Sequence, residues 1–209
     1  AALKKNQEKR TAMNLPFVVQ IITKLKDYSH FGSGCLLSIV DEIVILTCAH
    51  NFCSVEKGVN AKPTFMVEKD THFYLGNGEN RRFFNIKKFE IYPKYLNQPE
   101  IYDGYDLAVG IIDQTKLTAE DKKLALQWSN SFEKGEIQVA GYPEKYSSYI
   151  KDFQYKAEQF GMSGEACLHT NPTTVCQLIK YNTEKITTSE GQSGSPVIDL
   201  KNPKFVCGV

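Results

Sequence analysis

The chain has 209 residues, 42% of them apolar and 23% charged, with a formal net charge of +1. That length holds one large domain or two small ones, and a charge so near zero gives no reason to expect nucleic acid or an acidic membrane as a partner. No stretch reaches the ~20 apolar residues of a membrane-spanning helix, and no signal-peptide core opens the chain; if a signal once existed, the sequence reads as the mature form.

The start is basic, with Lys4, Lys5, Lys9 and Arg10 against Glu8, and residues 1–14 read as a solvated tail. Strand signals follow. Phe17 to Leu25, Gly34 to Val40 and Glu42 to Thr47 are β-branched or aromatic-rich runs separated by turn residues. Thr71 to Gly76, Arg82 to Tyr92 and Asp106 to Ile112 continue the pattern, with Asn77-Gly78 as a hairpin turn. Thr118-Ala119-Glu120-Asp121 resembles a capping box and predicts a short helix over Lys122 to Leu126. A second set of strands is predicted at Glu136 to Tyr142, Asp152 to Phe160, Val175 to Tyr181, Ser195 to Leu200 and Phe205 to Val209. The layout fits an all-β protein of two β-barrels with a cleft between them. The first barrel is expected over 15–115, the linker with its helix over 116–135 and the second barrel over 136–209. Repeats and low-complexity segments are absent.

Three segments carry chemistry. In Glu190-Gly191-Gln192-Ser193-Gly194-Ser195-Pro196, a serine sits between glycines that tolerate unusual backbone dihedrals. Such a turn can offer Ser193 as a nucleophile and its own amides to an oxyanion. In Ile45-Leu46-Thr47-Cys48-Ala49-His50, an apolar strand runs into a small-residue turn that ends in histidine. In Tyr105-Asp106-Leu107-Ala108-Val109, an acid leads another apolar strand. A serine hydroxyl needs a neighbour to take its proton. Histidine does this near neutral pH, and a buried aspartate fixes its tautomer. Asp103 is a rival acid, but it stands beside Gly104 and reads as a turn residue. His30 and His72 read as strand or loop surface residues, and His169 lies near the Asn171-Pro172 turn. Cys48-x-His50-x-x-Cys53 has a superficial metal-ligand look without a second ligand pair at zinc-like spacing, so no metal is expected. The six cysteines permit disulfides; Cys167 and Cys176 could close a hairpin or stay free.

Thr-Cys-Ala-His, Asp-Leu-Ala-Val and Gly-Gln-Ser-Gly-Ser-Pro, in that order, resemble the three signature segments of trypsin-like serine proteases over roughly 15–209. Gln192 and Ser195 replace the family's usual aspartate and second glycine. That variant, preceded by Thr187-Thr188 and with Gly141-Tyr142-Pro143 upstream, is similar to the glutamyl endopeptidase branch. The resemblance implies the chymotrypsin fold: two antiparallel barrels of the six-stranded type. It implies a serine endopeptidase with His50, Asp106 and Ser193 as the catalytic triad and the N–H groups of Gly191 and Ser193 as the oxyanion hole. Thr187, Thr188, Ser189 and Glu190 would line the primary substrate pocket. None of the first three is an acid, which disfavours cleavage after Arg or Lys. Thr188 could donate to a substrate carboxylate, while Glu190 would repel one. The chain stops inside an apparent strand at Cys207-Gly208-Val209. The resemblance implies a further strand, a C-terminal helix and a glutamate-selecting histidine beyond it. Cys35 also resembles a cysteine of a family disulfide; Asn51 occupies the usual partner's position, and Cys53 could substitute, or both thiols could stay free. The family's zymogen-activation junction is missing, and uncharged Gln192 fits that. The implied partner is a peptide or protein substrate, with no cofactor. A secreted or vesicular location is expected, with an intracellular one as the alternative. A catalytically silent, protease-like binding module is the competing functional reading.

Overall fold

The computed structural model describes residues 10–55, 62–97, 104–170, 172 and 177–209. Asp103, Cys176 and the lysines of the basic start lie outside them.

A short β1 (Thr11–Met13) opens the described chain. β2 (Val18–Lys24), β3 (Ser29–Ile39) and β4 (Glu42–Thr47) then run as antiparallel neighbours. β5 (Cys53–Val55) and β6 (Pro63–Phe65) pair only with each other. β7 (Thr71–Leu75), β8 (Arg82–Asn85), β9 (Lys88–Ile91) and β10 (Ala108–Ile111) complete a seven-stranded sheet of order β8-β7-β2-β3-β4-β10-β9.

The second half begins with β11 (Gln127–Trp128) and β12 (Lys134–Gly141). β13 (Ser147–Lys151) and β14 (Gln154–Ala157) form a separate hairpin. β15 (Gln159–Thr170), β16 (Gln177–Tyr181), β17 (Val197–Asp199) and β18 (Phe205–Gly208) finish the chain. They build a second sheet of order β1-β15-β12-β17-β18-β11, with β16 also on β15. The two curled, mainly antiparallel sheets give the chymotrypsin-like architecture that the sequence predicts.

The period-2 geometry of a strand explains how two cores arise from three strands. Val19, Ile21, Leu36, Ile43 and Ile45 point into the core of the first sheet. Their alternates Cys35, Leu37, Val44 and Leu46 point the other way and pack on Leu126, Ile198 and Val206. The outer face of β3 and β4 is therefore buried against the second half of the chain rather than solvated. That is why Ile43-Val44-Ile45-Leu46 is an unbroken apolar run.

Of the two alternatives for Cys35 and Cys53, a bridge or free thiols, the structure has free thiols. Cys35 faces the inter-sheet core, whereas Cys53 faces the interior of the first sheet, where its thiol donates to the Ala49 carbonyl at 3.6 Å. With Cys35 in one core and Cys53, from the separate β5–β6 hairpin, in the other, the two thiols cannot bond without backbone movement. Cys167 is also free.

Other differences are local. The run expected as one strand over Arg82 to Tyr92 breaks at Ile86-Lys87, where the backbone changes partner: Ile86 N–H donates to Thr71 and Lys87 N–H to Ile111. β15 runs on past Phe160, where the expected strand ends because Gly161, Ser163, Gly164 and Glu165 carry little strand signal. It forms because it pairs along all of β12 and also holds β1 and β16. Thr11–Met13, inside the segment read as a tail, is thereby part of the second sheet. His72 is buried against the rings of Phe83 and Phe153 rather than on the surface.

The helix after the first sheet spans Ala119–Leu124 and carries the full capping box, Thr118 and Asp121 each bonding the other's backbone N–H. Asp121 also takes a two-pronged ion pair from Arg82, at 2.6 and 2.8 Å. The Arg82 guanidinium holds the Asp121 carboxyl down at about 2. A depressed carboxyl stabilises the fold above its unfolded pKa, and that contribution is lost as pH falls toward 2. Asp121→Ala is expected to lower stability by about 1–2 kcal/mol. Urea melts should show the difference between the two proteins at pH 7 and its shrinkage below pH 4.

Candidate active site

β4 ends at Thr47, and the chain turns through Cys48 into a single 3-10 turn, Ala49–Asn51. β10 pairs antiparallel with β4, with Ala108 opposite Thr47. This register sets Asp106, just ahead of β10, beside His50, just past β4, although 56 residues separate them in sequence. His50 Nδ1 lies 2.5 Å from Asp106 Oδ2, and the His50 backbone N–H donates to Oδ1 at 2.9 Å. The carboxylate thus fixes both the ring and the turn that carries it. The imidazole is still 41% exposed and the carboxylate 21%.

Burial is the largest single influence on His50 and pulls its pKa down. The Asp106 carboxylate and the neighbouring Cys48 together outweigh it and push the imidazole up to about 10. Burial pushes the Cys48 thiol up. Cys48 Sγ lies 3.7 Å from His50 Nε2.

Ser193 sits in the loop that precedes β17. A polar network anchors this loop to the first sheet. The Ser193 carbonyl accepts from the Ser33 N–H at 2.8 Å and from Asn51 Nδ2 at 2.8 Å. Asn51 Nδ2 also donates to Thr47 Oγ1 at 2.9 Å, and Thr47 donates to the Ser33 carbonyl at 2.7 Å. The Ser33 hydroxyl donates to the Gly191 carbonyl at 2.7 Å and accepts from the Tyr142 N–H at 2.8 Å. Within the loop, Ser195 bonds the Gln192 carbonyl through both its N–H and its hydroxyl. The Ser193 hydroxyl itself has no hydrogen-bond partner among the described residues.

The two glycines are required by this packing. Gly191 and Gly194 have φ of +88° and +87°. A Cβ on Gly194 would strike the Thr47 hydroxyl and the Ser33 carbonyl, and one on Gly191 would strike the Glu144 N–H and the Tyr142 carbonyl. The chain approaches too closely at both points for any side chain, and the positive φ adds strain to any replacement.

Of the expected pocket residues, Thr187 is committed, its N–H and hydroxyl facing Met162 Sδ at 3.4 and 3.7 Å. Ser189 donates through N–H and hydroxyl to Gln192 Oε1. Thr188 is exposed, and its hydroxyl bonds nothing among the described residues. The Glu190 carbonyl accepts the Glu144 N–H at 2.9 Å. Burial, with the Glu190 carboxylate close by, raises the Glu144 carboxyl.

Sequence reasoning missed four positions around the site. The anchoring roles of Ser33, Thr47 and Asn51 gave no signal, because the loop that Ser33 and Asn51 hold lies more than 140 residues away. Asn51 is fully buried, and only its place after the histidine could have marked it. Arg10, read as part of a solvated tail, donates to Gln192 Oε1 at 3.4 Å and so ties the amino-terminal segment to the Ser193 loop. His30 is half-buried rather than on the surface, and burial, with His50 nearby, lowers its pKa. Of the apparent Cys48-x-His50-x-x-Cys53 metal pattern, Cys53 faces the core, whereas Cys48, His50 and Asp106 place ligand atoms within 4.8 Å of one another.

The trypsin family profile matches residues 5–209. Among curated protein sequences none matches. Solved structures share the fold. A thermostable serine protease, AL20, from an extremophilic microorganism superposes with a TM-score of 0.64 at 14% identity, over 93% of this chain and 82% of that one. A Glu endopeptidase gives 0.59 at 18%, over 93% and 81%. An inactivated protease paralogue of the scabies mite gives 0.57 at 11%, over 93% and 84%. At these identities the likeness is one of fold.

Asn51→Ala would leave the Ser193 carbonyl and the Thr47 hydroxyl each short of one hydrogen bond in a buried setting. It is expected to cost about 1–3 kcal/mol of stability, read from urea melts, and to displace the Ser193 loop in a crystal structure of the variant.

Proposed function

The chain belongs to the trypsin family, and on that premise we propose that it is a serine endopeptidase working through His50, Asp106 and Ser193. One observation carries this reading. Asp106 grips His50 at Nδ1 and at its backbone N–H, while the next residue, Asn51, grips the Ser193 carbonyl. The proton-transfer pair and the nucleophile are thereby held at one joint between the two sheets.

In this mechanism Ser193 Oγ attacks the scissile carbonyl carbon as its proton passes to His50 Nε2. Asp106 stabilises the imidazolium that forms and keeps the ring in the tautomer whose Nε2 is free. The negative charge that develops on the carbonyl oxygen is met by the N–H groups of Gly191 and Ser193. Neither has a protein acceptor among the described residues. Such fixed donors supply a large share of the barrier lowering. His50 then returns its proton to the leaving amine, and water repeats the cycle on the acyl-enzyme. We take the barrel carrying His50 and Asp106 as 15–115 and that carrying Ser193 as 136–209, the sheet of the latter being extended by β1, β11 and the start of β12.

For specificity, we assign a preference for cleavage after glutamate. Thr188 supports it as a free hydroxyl donor, and no acid occurs among Thr187, Thr188 and Ser189. A desolvated substrate carboxylate needs strong partners. Glu190, beside Glu144, opposes it. A Glu endopeptidase is among the proteins that share this fold.

A second reading is a silent protease-like module. The observation that favours it is that the Ser193 hydroxyl lacks a bond to His50, whose Nε2 faces Cys48 instead. Labelling with a fluorophosphonate separates the two: a labelled Ser193 supports the enzyme, and no label with a folded protein supports the silent module.

Ser193→Ala is expected to lower turnover by about 10⁶-fold, as loss of the serine does in an analogous triad, while Ser195→Ala costs far less. Equal losses would reassign the nucleophile. Asp106→Asn is expected to cost roughly 10⁴-fold through the wrong tautomer. The general base must be neutral, and Asp106 raises the His50 pKa, so the acid limb of the kcat/KM profile is expected above the ordinary ~6.5 of histidine. In Asp106→Asn that limb should move down in pH, and a limb that stays put would remove His50 from the role. Peptide-library profiling should show cleavage after Glu, strengthened in Glu190→Gln. Dominant cleavage after Arg, Lys or large apolar residues would overturn the glutamate assignment alone.

A further inference from the structure

We propose that Cys48 and His50 form a binding site for zinc or a similar borderline-soft divalent cation, and that occupying it shuts off the enzyme reversibly. The inhibition half of this inference rests on His50 being the general base; the binding half does not.

The geometry is the starting point. Cys48 Sγ and His50 Nε2 lie 3.7 Å apart. A tetrahedral zinc ion with Zn–S of about 2.3 Å and Zn–N of about 2.0–2.1 Å holds those two ligands roughly 3.6 Å apart. The thiol and the ring are therefore already at the spacing of a shared metal. Cys48 is buried, but the His50 side chain is partly exposed, so the pair lies within reach of an ion from solvent, whose remaining positions water would fill. Asp106 completes the arrangement. It holds Nδ1 at 2.5 Å, and a carboxylate on the far nitrogen is the partner that metal-bound histidines characteristically have. Cys53, the other cysteine of the apparent sequence pattern, takes no part, since its thiol is turned to the Ala49 carbonyl in the core.

The chemistry follows from the donors. The ion binds the Cys48 thiolate and, through the Nε2 lone pair, neutral His50; the thiol proton and the proton of a charged His50 both leave to solvent. No electrons are exchanged, and a chelator reverses the step. With that lone pair occupied, His50 cannot take the proton from Ser193. A sulfur and an imidazole nitrogen favour zinc over magnesium or calcium, which prefer oxygen ligands.

The binding half is tested on the full chain carrying Ser193→Ala, so that activity is irrelevant. Co²⁺ is added as the optical probe. A near-ultraviolet thiolate-to-cobalt band is expected, displaced by Zn²⁺ and unaffected by Mg²⁺ or Ca²⁺. It should persist in Cys167→Ser and Cys207→Ser and vanish in Cys48→Ala or, if that variant does not fold, Cys48→Ser. Asp106→Asn should weaken Zn²⁺ binding by about 10–100-fold through loss of the outer partner. The inhibition half is read on the unmodified enzyme, where Zn²⁺ should abolish turnover, a chelator should restore it, and the residual activity of the Cys48 variant should resist Zn²⁺. Absence of the cobalt band, or Zn²⁺ affinity unchanged in the Cys48 variant, overturns the site. A cobalt band in a chain that never labels with fluorophosphonate leaves the metal site standing and removes the protease reading instead.

Discussion

The Ser193 carbonyl is where the two halves of the molecule are fastened to each other. It accepts from the Ser33 N–H of the first sheet and from the side chain of Asn51 in the turn that follows β4, while belonging to a loop of the second. A buried carbonyl left unpaired costs a few kcal/mol, so the bond pair defines one position for the loop. Everything around it conforms to this closeness. Thr47 saturates the Ser33 carbonyl, the Ser33 hydroxyl holds the Gly191 carbonyl, and Gly194 has no side chain because there is no room for one.

Apolar burial supports the joint from behind. Leu37, Val44 and Leu46 of the first sheet interlock with Ile198 and Val206 of the second. On another side, the Arg81 guanidinium lies between the rings of Tyr74 and Tyr142, bonded to the Gly76 carbonyl and Gln20 Oε1. Packing of this kind is dense and resists small displacements. In the proposed mechanism, a loop whose amides meet a developing charge would gain from such a setting, because its donors need not reorganise during reaction.

The imidazole is the point of tension. Burial opposes its charge, while Asp106 and Cys48 favour it. Asp106 and Cys48 prevail, so the imidazole holds its proton more firmly than an ordinary histidine. The same neighbours give it a second use. The Asp106 contact that would prepare His50 for proton transfer also prepares it as a metal ligand, and the thiol next to Nε2 supplies the other donor.

The sequence by itself determined the strand-rich class, most strand positions in the first half, the capping box of Thr118 and Asp121, and the three short segments that meet at the site. These are local signals: period-2 alternation, a cap three residues from its partner, and glycines that flank a serine. Only the tertiary structure decided which faces of those strands are buried, and so separated Cys35 from Cys53. It also formed β15 from a weakly patterned segment, because pairing with β12 outweighs local propensity. It drew Arg10 out of an apparent tail to Gln192 and made Asn51 the link between His50 and Ser193. In each case the deciding contact joins residues far apart in the chain, and a hydrogen bond or packing face of that kind leaves no trace in either local sequence alone.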